Sequence, residues 1–284
     1  MQFELLRIAF VLVGTGAAAV QDAKTSYIDD RITGSMIVLG AVLNLLENDQ
    51  SFWWSAFGIA FVIAVAGYAM YRLGQFGGGD VLLFLGLQLL LPFYPSGVFN
   101  AAFPSEFYVY PFVLSVFLAA SYFSVLGSGA WYAWRIVEKK IALPRKDFFI
   151  FVVLSAASIG FWFVIPLGFM QKAFFTCLFI PGLFLMVFKK QITDKLVVRK
   201  IPIKEIEDED ILAIDKLPKR LVAKYGLERV LTKKQVGLLK KIRRDTKRKL
   251  FPVCKELPRF GPYILAGLIA SLLVRDLFLW VLLA

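Results

Sequence analysis

The sequence predicts an all-α polytopic membrane protein of six to eight transmembrane helices, with a small α+β cytoplasmic domain inserted before the last helix. Three observations predict it. Of 284 residues, 58% are hydrophobic and 19% charged, where a soluble domain has about 45–50% and about 25%. The apolar excess falls in long blocks, the signature of spanning segments. The charge is segregated as well: residues 189–259 hold 22 basic and 10 acidic side chains, a net of +12, whereas the remainder has 11 of each.

A span needs roughly 20 mostly apolar residues. Runs of this kind cover 3–20, 32–46, 52–71, 81–93 with a Pro-broken extension, 107–134, 148–169, 173–188 and 260–283. The first reads as a retained span and not a cleavable leader, since Glu4 and Arg7 flank it without a basic cluster. Its small residues Gly14, Gly16, Ala17, Ala18 and Ala19 suit close helix packing. The runs 32–46 and 173–188 are short and read as tilted or re-entrant. The chain thus divides into a bundle at 1–188, a basic domain at 189–259 and a last helix at 260–284.

Orientation follows from basic residues in short loops. The loop 135–147 carries Arg135, Lys139, Lys140, Arg145 and Lys146, and with the 189–259 block it is assigned to the cytoplasm. The loops 47–51 and 95–106 hold no Lys or Arg and are assigned outside. Strict alternation then puts 22–31 and 72–80 on the cytoplasmic face together. Within the basic block, the alternation from Arg199 to Ile206 predicts a strand. Glu207 to Asp210 is an acidic turn, and Thr232 with Gln235 marks a helix start whose apolar face is Leu238, Leu239 and Ile242. The interior looks thin, so this domain is expected to lean on the membrane or on loops. Lys240-Lys241-Ile242-Arg243-Arg244 and Lys247-Arg248-Lys249 would suggest nucleic acid in isolation. Between spans they are read as contacting anionic lipid, with no nucleic-acid partner.

Histidine is absent and the two cysteines, Cys177 and Cys254, lie far apart in unlike segments. This removes Ser-His and Cys-His triads and most zinc hydrolase sites, and no metal or cofactor is expected. Acid–base chemistry falls to Asp, Glu, Lys or Tyr. The conspicuous stretch is Gly77-Gly78-Gly79-Asp80. An Asp before an apolar run is often a helix N-cap, yet a cap needs no three glycines before it, and these are conformationally costly. They suit a backbone that a substrate must approach. Asp22 closes the first run, where a negative charge opposes the helix macrodipole. Asp29 and Asp30 read as loop or cap acids that can also attract a basic peptide. Two carboxylates sharing one proton activate water with no metal, histidine or nucleophilic side chain. The competing reading is an ion- or proton-coupled transporter using Asp22 and Asp80. In the last run, Arg275-Asp276 is read as a snorkelling pair at the outer interface.

Val20-Gln21-Asp22, then Ile28-Asp29-Asp30-Arg31-Ile32, then Gly77-Gly78-Gly79-Asp80 together resemble the archaeal type IV prepilin and preflagellin peptidases, GxGD-type membrane aspartic proteases. The 258–267 entry to the last helix and Ile201-Pro202-Ile203-Lys204-Glu205 are similar to that family too. The resemblance implies Asp22 and Asp80 as the catalytic pair, with Gly77 and Gly79 as the motif glycines. It also implies cleavage, on the cytoplasmic side of the cell membrane, of a short basic leader from pilin-like or archaellin precursors. Leu82-Leu83 stand where the family usually has a basic residue, and the cysteine-rich domain of bacterial relatives is missing.

Overall fold

Apolar helices form the bundle, in a computed structural model that describes residues 3–47, 49–96, 110–207, 210–246 and 248–283. Most of the 95–106 loop, Asp208 and Glu209 of the acidic turn, and Lys247 of the second basic run lie outside the described residues. The helices are α1 (Glu4–Thr25), α2 (Asp30–Leu45), α3 (Gln50–Arg72), α4 (Gly78–Leu90), α5 (Phe112–Glu138), α6 (Arg145–Val164) and α7 (Phe169–Val187). After α8 (Lys189–Ile192) comes a small mixed unit. It contains β1 (Val198–Pro202), β2 (Ile211–Leu212), α9 (Lys219–Tyr225), α10 (Lys233–Thr246) and β3 (Leu250–Cys254). The chain returns to the bundle as α11 (Gly261–Val274) and α12 (Leu277–Leu283).

Among the described residues, five helices are long and apolar enough to cross a membrane: α1, α3, α5, α6 and α7. The α11–α12 pair, bent by 47°, makes a sixth if it is one span. The chain is therefore a multi-pass membrane protein. With 19 residues, α7 is not the short element that run 173–188 suggests. The short helices are α2, with 16 residues, and α4, with 13. At 1.5 Å per residue, α4 is about 20 Å long, short of a bilayer core of about 30 Å. It stops because Leu91 precedes Pro92, and a residue before proline is pushed out of the helical region.

Small residues set the spacing of the bundle. A Cβ on Gly40 would lie 2.7 Å from the Leu89 backbone carbon, and one on Gly86 would lie 2.9 Å from Met36 Cβ, so α2 and α4 touch along their lengths and run parallel. A Cβ on Gly267 would lie 2.6 Å from the amide nitrogen of Ala120, which locks α11 antiparallel to α5. At one end, fully buried Arg7 donates to Asn44 Oδ1 at 2.7 Å and to the Leu90 carbonyl at 3.2 Å, and pairs with Glu47 at 3.4 Å. Asn44 in turn donates to the Leu89 carbonyl at 2.9 Å. One cation thus ties α1, the end of α2 and the end of α4. Glu47 lies at this end, as its assignment opposite to Asp22 requires.

Arg275-Asp276 departs from the snorkelling reading. Asp276 is 1% exposed and accepts from Tyr110 and Ser115 hydroxyls at 2.5 Å each and from the Leu279 amide at 2.7 Å. It caps α12 from within, and the bend falls at Arg275, whose φ is +63°. A buried carboxylate needs such donors, and the pair of charges in sequence hid that one of them turns inward.

The mixed unit is a three-stranded antiparallel sheet in the order β1-β3-β2. The strand expected from Arg199 onward ends at Pro202, and Ile203–Glu205 turns as a 3-10 helix. Thr232 Oγ1 accepts from the Gln235 amide at 3.4 Å, as expected of a cap, while the Gln235 side chain binds the Gly226 carbonyl and the Glu228 amide instead. The interior is not thin: Leu212, Leu231, Leu239, Ile242, Phe251 and Val253 are buried in one cluster. The unit still leans on the bundle, through an Arg72–Glu228 ion pair at 3.2 Å and Arg229 beside Gly74.

Gly267→Val is expected to force α5 and α11 apart and lose about 1–3 kcal/mol, measured by thermal unfolding in detergent. Gly16→Ala, inside α1 where a Cβ meets nothing within 4 Å, is expected to leave the transition in place or raise it slightly.

Candidate active site

Asp22 sits in the last turn of α1, which continues to Thr25 and ends where Ser26 takes a left-handed conformation at φ +58°. It is 6% exposed, and its Oδ2 accepts the Gly261 amide at 2.9 Å. Asp80 is the third residue of α4, not its cap; Gly77 is the cap, with an extended φ of −71° and ψ of 145°. The Asp80 carboxylate folds back on the Gly77 amide, one half of a capping box. Each aspartate is thus held by one backbone N–H: Asp80 by its own helix start, Asp22 by a residue far along the chain.

The two line a single cleft of about 670 Å³. From the bundle it is lined by the end of α1, the turn at Ile28 and the stretch from Gly74 to Asp80; from the mixed unit and the connection to α11 by Glu207, Asp210, Ile211, Val230, Cys254, Lys255 and Leu257 to Phe260. The cleft therefore lies between the bundle and the mixed unit, at the end of the bundle opposite Arg7.

Gly77, Gly78 and Gly79 all line the cleft, but their φ values are not positive, so backbone freedom does not explain them. Space does. A Cβ on Gly79 would lie 2.9 Å from Ile28 Cβ, and one on Gly77 would lie 3.0 Å from Asp80 Oδ2. The glycines let the chain entering α2 pack down and let the Asp80 carboxylate fold back. Asp29 and Asp30 do not line the cleft. Asp29 caps α2, accepting from the Arg31 amide at 2.9 Å, while its own amide binds Gln21 Oε1 at 2.9 Å; Asp30 is exposed in the first turn. Asp29 matches the cap reading, and Asp30 that of a solvated acid beside it.

Reasoning from sequence missed Lys255 and Arg259. Lys255 Nζ sits 2.8 Å from Asp210 and 3.7 Å from Glu207 inside the cleft wall. Arg259 bonds Ser26 Oγ at 3.1 Å and the Ala23 carbonyl. The acidic turn at 207–210 was visible, but nothing in its sequence connects it to Asp22 or Asp80. Cys254 also lines the cleft, and burial pushes its thiol above the ordinary value, partly opposed by Arg229; it is held in the protonated, non-nucleophilic form. Among the described residues, no group of three or more His, Cys, Asp or Glu side chains is placed to hold a metal ion.

Residues 9–128 match the type IV leader peptidase family. The prepilin peptidase EppA of Methanothermobacter thermautotrophicus is 36% identical over 126 residues, which is 42% of this chain and 32% of that protein. The preflagellin peptidase of Methanocaldococcus jannaschii is 28% identical over 119 residues, 40% of this chain and 50% of that protein. The chain thus spans about a third to a half of the length of these relatives. No solved structure matches it. The matched stretch contains Asp22 and Asp80 and stops before the mixed unit and α11.

Asn at position 80 keeps an oxygen for the Gly77 amide and is expected to leave stability unchanged. Asp80→Ala removes the acceptor and is expected to cost about 1 kcal/mol. Thermal unfolding of both variants in the same detergent separates the two cases.

Proposed function

Because residues 9–128 match the type IV leader peptidase family and two archaeal leader peptidases are similar over a stretch of like length, we propose that the chain is a membrane-embedded aspartic endopeptidase of that family. Its substrates in this reading are pilin-like or archaellin precursors, cut at a short basic leader on the cytoplasmic side. The observation that carries the reading is that Asp22 and Asp80, from different helices, line one cleft at one end of the bundle.

The chemistry follows from the pair. Two neighbouring carboxylates do not both ionise readily, so they hold one proton between them. The ionised partner takes a proton from water as the oxygen attacks the scissile carbonyl, and the protonated partner donates to the developing oxyanion. Collapse of the tetrahedral intermediate returns a proton to the leaving amine. Asp22 and Asp80 are the proposed catalytic residues, with Gly77, Gly78 and Gly79 shaping the wall beside them. A transporter reading is not favoured: it calls for acids near the middle of spans, and both aspartates sit in terminal turns.

The proposed division is a catalytic bundle over 1–188, a basic cytoplasmic domain over 189–259 and the last membrane segment over 260–284. Anionic lipid is the proposed second partner. Gln235, Leu239 and Ile242 turn α10 inward, leaving Lys240, Lys241, Arg243 and Arg244 exposed on its other side. Basic residues tethered beside an anionic surface gain about 1 kcal/mol each.

Asp22→Asn and Asp80→Asn, each folded, are expected to abolish cleavage of a precursor by the chain reconstituted in liposomes; efficient processing by either overturns the mechanism. The wild-type rate is expected to fall on both sides of a pH optimum, since protonating both carboxylates and ionising both are equally inactive. For α10, trypsin is expected to cut more slowly in vesicles containing anionic lipid than in zwitterionic ones, and high salt to remove the difference. Equal rates in both remove the lipid contact.

A further inference from the structure

Three consecutive residues, Arg259, Phe260 and Gly261, carry the chain from the mixed unit into α11, and each touches a different part of the aspartate pair's surroundings. Arg259 donates to Ser26 Oγ at 3.1 Å and to the Ala23 carbonyl. Both acceptors are at the C-terminal end of α1, where carbonyls lack helical partners and a cation is favoured. The Phe260 ring meets Phe76 edge-on at 5.4 Å and lies 6.3 Å from Phe84. Phe76 immediately precedes Gly77, and Phe84 is one turn beyond Asp80 on α4. Gly261 gives its buried amide to Asp22 Oδ2 at 2.9 Å.

The position of Gly261 is set by space. A Cβ there would lie 3.0 Å from both Cβ and Oδ2 of Asp22 and 3.4 Å from the Ala19 backbone. Those contacts leave no room for a methyl group unless the carboxylate moves. Pro262 follows in the first turn of α11, which fixes the backbone direction just after the donating amide.

Resting on the peptidase reading, we propose that Arg259, Phe260 and Gly261 form a positioning clasp that sets the orientation of Asp22 and its spacing from Asp80. Gly261 fixes one carboxylate oxygen. Arg259 pins the turn that bears that carboxylate, and Phe260 seats the Phe76–Asp80 stretch against the same short segment. The clasp begins five residues after β3 ends at Cys254, so the mixed unit and the two aspartates share one connecting strand of chain. None of the three residues takes part in proton transfer; they act through Asp22 and Asp80.

The test uses the full chain in liposomes and the precursor-cleavage assay. Gly261→Ala is expected to lower kcat on the order of 100-fold, the cost of misplacing a reacting group by about 1 Å, with KM unchanged and the pH–rate profile displaced. A folded Gly261→Ala protein with wild-type kcat and profile overturns the clasp. Arg259 is exposed, so Arg259→Gln tests the same idea in a variant that folds: kcat is expected to fall several-fold, with partial recovery in Arg259→Lys. A second readout does not depend on activity. In a Cys177→Ser, Cys254→Ser background, an Asp22→Cys, Asp80→Cys pair is cross-linked, and Phe260→Ala is expected to slow cross-linking several-fold. An unchanged rate overturns the proposal. If the wild-type protein cleaves no precursor, the peptidase reading fails while the cross-linking still reports whether the clasp sets the spacing.

Discussion

Close approach of backbones, permitted by glycine, is the constraint from which the rest of this structure follows. Between helices in lipid no hydrophobic force separates helix from solvent, so association depends on packing and on internal hydrogen bonds. Gly40 against Leu89, Gly86 against Met36 and Gly267 against Ala120 bring α2 to α4 and α11 to α5 at distances no side chain would permit. The same device continues into the cleft, where Gly79 meets Ile28 and Gly261 meets Asp22. The packing that builds the bundle and the packing that positions the aspartates are continuous.

That continuity explains how much was legible in the sequence. The apolar runs located the bundle helices, because hydropathy reports directly on what lipid tolerates. The basic loops put Asp22 and Asp80 at the same end, and the structure brings them into one cleft. Helix lengths were less visible: Pro92 cut α4 short, whereas Pro181 sits inside α7 without ending it. A proline's effect depends on whether neighbours accommodate the helix around it, which one sequence does not show. The glycines before Asp80 were read as room for an approaching substrate backbone; Gly79 also gives room to Ile28 and Gly77 to the Asp80 carboxylate.

What stayed hidden was long-range. The Gly261 amide and Asp22 are at opposite ends of the chain, and no local pattern joins them. Glu207, Asp210 and Lys255 enter the cleft wall only because the mixed unit packs back on the α3–α4 connection. Asp29 and Asp30, read as loop or cap acids that can attract a basic peptide, are parts of the α2 start and lie outside the cleft lining.

The structure also holds a comparison between buried acids that bears on chemistry. Asp276 and Asp22 are both almost fully buried, and an acid at such a position in a membrane protein is a functional candidate by default. Their hydrogen bonds separate them. Asp276 receives two hydroxyls on one oxygen and an amide on the other, so both its oxygens are engaged in holding the bend between α11 and α12. Among the described residues, Asp22 receives one amide on one oxygen. A group that must take a proton from water needs a lone pair that the protein has not already filled, and a cleft through which water arrives. Among the described residues, the Asp22 end of the bundle offers both. Burial by itself therefore does not distinguish Asp22 from Asp276; incomplete satisfaction beside an open cleft does, and it is the argument for the proposed site.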